Sequence, residues 1–117
     1  MTDELGAVLF EIINYGGDAK GLAYEAIDAA ENGGFEKAEE LLKEADRSLA
    51  KAHELQTDLI RKEASGEHQE VNVIFIHAQD HLMSAMEVRT LAENFIRICR
   101  RLQRLETDRK EEGHDGE

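Results

Sequence analysis

Two histidines and an aspartate interrupt an apolar segment in the last third of this chain. His77, Asp80 and His81 follow directly after the mainly apolar residues 71–76, and Leu82 resumes the apolar pattern. Ionisable side chains in a core-like helix cost desolvation free energy unless they are paired or used. The spacing i, i+3, i+4 places all three on neighbouring positions of one helical surface. The cluster is therefore a candidate functional site.

The two histidines differ in the chemistry that their positions allow. A neutral imidazole nitrogen is a nucleophile toward phosphorus, so His77 is a candidate to accept a phosphoryl group and pass it on without a cofactor. This chemistry requires one accessible ring nitrogen while the other is held by an acceptor. The alternative is a histidine that is merely hydrogen-bonded within a helical bundle, and the residues alone leave both interpretations open. For His81, a hydrogen-bonded packing role is the favoured interpretation.

Asp80 lies between the apolar Ile76 and Met83 on one helical face. If that face forms a symmetric seam between copies of the chain, like-charged carboxylates meet there and must either be protonated or share a cation. Carboxylate oxygens together with water suit magnesium. The alternative is an aspartate that marks a water-filled gap and fixes the register of the seam. The residues do not choose between these two roles.

The sequence argues against a zinc hydrolase. The spacing of His77, Asp80 and His81 is similar to the inverted zinc-protease motif H-x-x-E-H. That chemistry needs a distant third ligand and a carboxylate base over a substrate cleft. No segment of this alanine-rich chain is of a kind that builds a cleft, and the single cysteine, Cys99, does not indicate a zinc site.

The composition predicts a single helical domain. The chain has 117 residues, no proline and 34% charged residues, which is typical of long helices. No stretch is apolar over the length of a membrane span and no cationic leader opens the chain, so we predict a cytosolic protein. The formal net charge of -12 argues against a nucleic-acid partner, because phosphate contacts require Lys and Arg.

Apolar residues spaced by three and four predict three long helices in a bundle. The predicted helices cover residues 2–31, residues 35–64 and a third segment from Glu70 past Leu105. A stop signal at Asn32-Gly33-Gly34 separates the first two. The helices define a domain over residues 1–107, and a charged tail over residues 108–117 is predicted to be disordered.

Two further features of the first two helices bear on the cluster. Gly16, Gly17 and Gly21 lie inside the first helix, which indicates close helix packing or a kink, the alternative being clearance for a second protein near His77. Gln56 is polar at a core position of the second helix. It is a candidate hydrogen-bond partner for either histidine of the cluster.

The third helix carries two apolar rows that point to nearly opposite sides, at about 100° per residue. One row is predicted to pack on the first two helices and consists of Val71, Ile74, Ala78, His81, Ala85, Val88, Ala92, Phe95, Cys99 and Leu102. The other consists of Val73, Ile76, Asp80, Met83 and Glu87, continuing through Thr90 and Asn94. This outer row needs a partner, and the third helix of another copy is the simplest one. His77 falls between the rows and is predicted to lie at the rim of that seam.

Three segments resemble, in the same order, the enzyme IIA component of the lactose/cellobiose (N,N'-diacetylchitobiose) class of the sugar phosphotransferase system. Residues 77–83, with the sequence HAQDHLM, resemble the signature of that family. Residues 12–23 are similar to its glycine-containing first helix, and residues 52–60 resemble its A-H-x-x-Q-T-x-L-I segment. The likeness covers residues 4–105 in one register.

The resemblance implies a fold, an assembly and an activity. The fold is an antiparallel three-helix bundle that assembles as a homotrimer, with a coiled-coil seam formed by the third helices. The activity is that of a phosphotransferase component. The phosphocarrier HPr would phosphorylate His77 on Nε2, and His77 would pass the group to a cysteine of enzyme IIB, while the membrane enzyme IIC moves the sugar. Asp80 of each subunit would share one magnesium ion per trimer.

The resemblance leaves the roles of His81, Gln56 and the charged tail open. It also leaves the sugar open among lactose, cellobiose, chitobiose and related β-glucosides, because enzymes IIB and IIC carry most of that choice. The main alternative function is a non-enzymatic helical-bundle adaptor whose histidines are structural, which predicts that no phosphohistidine forms.

Overall fold

The computed structural model describes residues 1–115, with side chains described through residue 113. Three α-helices, α1 (Asp3–Glu31), α2 (Phe35–Ala64) and α3 (Val73–Asp115), make up the fold, and the described residues contain no strand. The predicted all-α, three-helix architecture is confirmed. The predicted bounds of the first two helices agree with the structure to within one residue.

Side-chain caps fix where α1 and α3 begin. The hydroxyl of Thr2 accepts a hydrogen bond from the Leu5 amide at 3.1 Å, and the side-chain oxygen of Asn72 accepts one from the Phe75 amide at 2.9 Å. Each cap satisfies an amide that has no partner within the first helical turn. Because Asn72 caps α3, the helix begins at the next residue, later than the predicted start at Glu70.

A glycine in the left-handed region ends α1. Gly33 has a φ of +82°, a conformation that L side chains rarely adopt. The amide of Gly34 then donates to the Ala29 carbonyl at 2.8 Å. This tight reversal confirms the predicted stop signal and lets α2 begin one residue later, running antiparallel to α1.

The helices run up, down and up along one long axis. At one end the amine of Met1 pairs with Glu70 at 2.7 Å, just before α3 begins. At the other end Gly33 lies beside the Gln103 side chain, so α1 and α3 are parallel. The molecule measures 74 × 21 × 20 Å. No helix among the described residues is both long enough and apolar enough to cross a membrane.

Small side chains bring α1 close to both of its neighbours. The middle of the core is built from one alanine of each helix: Ala19, Ala45 and Ala85. The end that bears the candidate site contains the largest fully buried side chains: Leu9, Ile12 and Leu82. Burial of a side chain of this size stabilises a fold by about 1.5–3 kcal/mol, so this end is the better anchored support for a site.

An ion pair joins α2 to α3 farther along the bundle. The Arg89 guanidinium donates through Nε at 2.6 Å and through Nη2 at 3.0 Å to the two carboxylate oxygens of Asp46. Glu93, one turn along α3, accepts a further bond from the same guanidinium. These hydrogen bonds, led by those to Asp46, raise the pKa of Arg89 above its ordinary value.

The inward face of α3 differs from the predicted row toward its C-terminal half. The buried positions are Ala78, Leu82, Ala85, Ala92 and Ile96. The predicted row alternates steps of three and four, and such a row drifts by about 20° per heptad on a straight helix. Phe95 and Leu102 have therefore left the interface and are 48% and 52% exposed. Val71, which precedes the helix, is exposed as well.

An apolar stripe on α3 faces away from α1 and α2. It starts with the predicted outer row, in which Val73, Ile76 and Met83 are all at least half exposed. The predicted row continues through the polar Thr90 and Asn94, whereas the apolar side chains exposed on this side of α3 beyond Met83 are Leu91, Phe95, Ile98, Leu102 and Leu105. We call these residues, together with Asp80, the α3 stripe. An exposed apolar stripe of this length predicts that another protein surface packs against the α3 stripe.

α3 continues as a helix through Asp115, where the sequence predicts a disordered tail over residues 108–117. Residues 101–113 are all exposed, so no side chain of this part of the helix is buried against the bundle. Good helix formers and the i, i+4 pair of Glu106 and Lys110 account for its local conformation. Residues 116 and 117 lie outside the described residues. The division into a domain and a separate tail stays a prediction.

We expect Gly17→Ala to raise the free energy of unfolding by up to about 1 kcal/mol, because alanine has the higher helix propensity. No atom lies within 4 Å of the Cβ that the substitution adds. Gly33→Ala is the contrasting variant and should lower the free energy of unfolding by about 1 kcal/mol, because its φ is left-handed. Urea unfolding followed by circular dichroism measures both changes. A loss of stability in Gly17→Ala would contradict the open surroundings of this position.

Candidate functional site

His77 is exposed on α3, between the buried face of that helix and the α3 stripe. The following residue, Ala78, is 1% exposed and lies in the core cluster with Leu9 and Ile12. The backbone beneath the imidazole is thus anchored in the core while the ring itself reaches solvent. This position agrees with the accessibility that the sequence predicts for His77.

The ring of His77 packs against the ring of His81. Their centroids are 4.4 Å apart and their planes meet at 67°, an edge-to-face arrangement. His81 is half-buried, and its Nδ1 is the one buried side-chain nitrogen or oxygen in the described part of the chain without a hydrogen-bond partner. The sequence favours a hydrogen-bonded packing role for His81, whereas the structure shows the packing without a hydrogen bond at Nδ1.

Gly16 fixes the backbone of α3 directly at His81. A Cβ at position 16 would lie 3.5 Å from the His81 carbonyl carbon and oxygen and 3.6 Å from the Cα of Leu82. Of Gly16, Gly17 and Gly21, it is therefore Gly16 that has the predicted packing role. No atom lies within 4 Å of a Cβ at Gly17 or Gly21, so their surroundings are open.

Asp80 lies exposed on the α3 stripe between Ile76 and Met83. Among the described residues of one chain, no three His, Cys, Asp or Glu side chains lie close enough together to hold a metal ion. One chain therefore offers a single carboxylate at this point, while magnesium takes several oxygen ligands. Asp80 fits a magnesium site only where copies of the chain bring their carboxylates together.

Gln56 pairs with neither histidine of the cluster. Its side-chain amide donates to the side-chain oxygen of Gln79 at 2.7 Å, and Gln56 itself is 8% exposed. This bond ties α2 to α3 at the position between His77 and Asp80. The sequence pattern that could have predicted the Gln56–Gln79 bond is the presence of two side-chain amides on facing helices, since each amide can both donate and accept.

Lys20 is a neighbour of the cluster that the sequence analysis missed. Its Nζ donates to the Ser84 hydroxyl at 2.8 Å, which ties α1 to α3 one turn beyond His81. Lys20 lies about one helical turn after Gly16, and Ser84 lies about one turn after His81. Once the contact between Gly16 and His81 is known, the pairing of Lys20 with Ser84 can be predicted. The bond places a positive charge on the side of α3 that also carries His77.

The arrangement offers an exposed nucleophilic nitrogen on a firmly packed helix. Its ring orientation is constrained by the contact with His81, and the helix beneath is held by Gly16, Leu82 and the Gln56–Gln79 bond. An exposed ring on a helix surface suits a group that is carried by another large molecule better than a small free substrate, which needs a concave pocket.

Comparison with protein families and curated relatives finds consistent similarity. The family model described as the lactose/cellobiose-specific IIA subunit of the phosphotransferase system matches residues 7–100. The lichenan-specific phosphotransferase enzyme IIA component of Bacillus subtilis (strain 168) is 42% identical over 102 residues, which cover 87% of this chain and 93% of that protein.

Solved structures of similar proteins have the same fold. The crystal structure of the cellobiose-specific enzyme IIA of Bacillus anthracis matches with a TM-score of 0.85 and 39% identity, covering 88% of this chain and 94% of that one. The IIA(chitobiose) structure in complex with HPr, from the N,N'-diacetylchitobiose branch of the Escherichia coli phosphotransferase system, matches with a TM-score of 0.75 and 33% identity. That match covers 87% of this chain and 99% of the other.

We expect Gly16→Leu to lower the free energy of unfolding by about 1–3 kcal/mol, because the larger side chain overpacks the contact with α3. The same variant should shift the backbone amide resonances of His81 and Leu82, which lie against the new side chain. Gly21→Leu, whose surroundings are open, is the matched control. It should not lower the free energy of unfolding, because leucine has a higher helix propensity than glycine, and it should leave the amide resonances of His81 and Leu82 unchanged. Denaturant unfolding and amide chemical shifts measure the two effects. A Gly16→Leu protein as stable as the wild type would show that the contact is not tight.

Proposed function

Because this chain belongs to the lactose/cellobiose-specific IIA family of the phosphotransferase system, we propose that it is a cytosolic phosphocarrier that holds a phosphoryl group on Nε2 of His77. The donor is phosphorylated HPr and the acceptor is a cysteine of the cognate enzyme IIB, which serves the membrane enzyme IIC. The observation that carries this proposal is the exposed ring of His77 on a helix whose neighbouring residues are packed in the core.

Each transfer exchanges one labile phosphoryl bond for another. The N–P bond on the histidine of HPr breaks as the N–P bond on His77 forms, and this second bond breaks as the thiolate of enzyme IIB forms an S–P bond. The chain contributes mainly positioning, because phosphoryl transfer depends on in-line geometry and charge stabilisation more than on acid–base chemistry. The similarity to a IIA protein that was solved in complex with HPr supports HPr as the donor.

The α3 stripe supports a homotrimer in which the third helices of three copies form a parallel coiled-coil seam. Side chains such as Ile76, Met83 and Ile98 are at least half exposed in one chain, and burying them provides the free energy of association. His77 lies beside the stripe rather than on it, so the seam leaves its ring at the rim, where HPr and enzyme IIB can reach it.

Asp80 carries the only proposed metal contact, and its position supports a magnesium ion shared by three copies. The stripe places the carboxylate among apolar side chains, so association would bring three like charges together in a dry seam. A shared cation or protonation relieves that repulsion. Bound there, magnesium would supply charge neutralisation to the seam.

We expect His77→Ala to abolish labelling by phosphoenolpyruvate, enzyme I and HPr while the helical content remains that of the wild type. The substitution removes the accepting nitrogen at an exposed position, so the core is not disturbed. Intact-protein mass measurement after incubation checks the result. His53→Ala, at another exposed histidine, is the matched control and should be labelled normally. Labelling that persists in His77→Ala would move the phosphoryl site elsewhere, and an unlabelled wild type would favour the structural-adaptor alternative.

We expect Asp80→Leu to keep or raise the stability of the trimer, because an apolar group replaces a charge in the buried seam. The variant should also lose any dependence of trimer stability on magnesium. Sedimentation velocity over a dilution series, with and without magnesium, measures both effects. Glu44→Leu, which makes the same kind of substitution at an exposed position on α2, is the control and should leave the dependence of trimer stability on magnesium unchanged. Dissociation of Asp80→Leu into monomers would show instead that the cation bridge holds the assembly, and a monomeric wild type would contradict the proposed trimer.

A further inference from the structure

The half-buried imidazole of His81 has no role in the transfer described so far. The edge of this ring that carries Nδ1 is buried by the protein's own atoms, and Nδ1 has no hydrogen-bond partner among the described residues. We call it the sealed edge of the ring. Because its own chain covers it, a second copy or an incoming protein cannot reach this nitrogen. The ring is only half-buried as a whole, and Nε2 is not among the buried unpartnered atoms. Nε2 is therefore the nitrogen through which His81 can act.

The sealed edge determines which nitrogen carries the proton. A buried N–H without an acceptor is among the rarest arrangements in proteins, and a neutral imidazole has one N–H and one bare nitrogen. The favoured tautomer therefore has the bare nitrogen at Nδ1 and the hydrogen on Nε2. His81 in this state presents a hydrogen-bond donor at the surface, next to the ring of His77.

We propose that His81 donates a hydrogen bond from Nε2 to an oxygen of the phosphoryl group while that group is bound to His77. This inference rests on the proposed function and adds a second residue to the same site. The ring centroids are 4.4 Å apart and the rings meet edge to face. A phosphoryl group extends beyond the ring that carries it, and the proposal places one of its oxygens within hydrogen-bonding distance of Nε2 of His81. His81 neither gains nor loses a proton in the step.

The donor would act where the reaction needs it. Phosphoryl transfer passes through a loose transition state whose negative charge is spread over three oxygens. A donor that is already oriented stabilises that charge without reorganisation. His81 meets this condition because Gly16 packs on its backbone carbonyl and the next residue, Leu82, is fully buried. The same donor serves acceptance from HPr and delivery to enzyme IIB.

Substitution of His81 separates hydrogen-bond donation from packing. His81→Phe keeps an aromatic ring against His77 but removes both nitrogens. It should slow phosphorylation of His77 by phospho-HPr about tenfold to a hundredfold, the effect of losing one hydrogen bond to a charged group. Its melting temperature should equal or exceed that of the wild type, because the unpartnered Nδ1 is gone. His81→Gln retains an N–H donor on a flexible side chain and should recover most of the rate. Quench-flow with radiolabelled phospho-HPr measures the rates.

A measurement on the wild-type protein tests the tautomer independently of any variant. The side-chain ¹⁵N shifts of His81 should report hydrogen on Nε2 and a bare Nδ1. A proton found on Nδ1 would overturn the inference, as would a His81→Phe protein that is phosphorylated at the wild-type rate. Equal slowing in His81→Phe and His81→Gln, with lowered melting temperatures, would overturn it in favour of a packing role. A wild type that takes no label at His77 would overturn the proposed function itself, and this inference with it.

Discussion

The close approach of α1 to the backbone of α3 at Gly16 is the contact on which the candidate site depends. Gly16 lies against the His81 carbonyl and the Leu82 Cα, at the end of the core that contains the largest buried side chains. A side chain at position 16 larger than alanine would separate the two helices at the point where the imidazoles stand. An exposed ring with the proposed transfer role needs such support, because it has few contacts of its own to fix its direction.

The proposed phosphocarrier function requires a site that differs from that of an enzyme with a small substrate. His77 is exposed beside an apolar stripe, so in the proposed transfer recognition would be left to the surfaces of the proteins that bring and remove the phosphoryl group. An exposed site serves two partners in turn, since neither has to enter a cleft. A lichenan-specific relative is similar to this chain in sequence and a cellobiose-specific one in fold, which agrees with the proposed division of labour in which the sugar is chosen elsewhere in the system.

The α3 stripe and the net charge of -12 act in opposite directions on self-association. The stripe favours burial against other copies of α3, whereas like charges on each chain oppose their approach. Asp80 concentrates this conflict at one point, because it is a carboxylate within the apolar surface itself. The proposed shared cation would resolve the conflict locally, and His77, which lies beside the stripe, would stay free for the proposed partners.

Periodicity, caps and the signature around His77 determine much of this protein from sequence alone: the three helices, the glycine turn and the accessible histidine depend on interactions within a few residues. The pairing of Gln56 with Gln79, the bond from Lys20 to Ser84 and the sealed Nδ1 of His81 were decided by the tertiary structure. Each depends on how far one helix is rotated and shifted against another, and several polar partners satisfy the same sequence pattern. The rotation of α3 beyond Met83 has the same cause, because small angular drifts per turn accumulate along a long helix until packing fixes which side is buried.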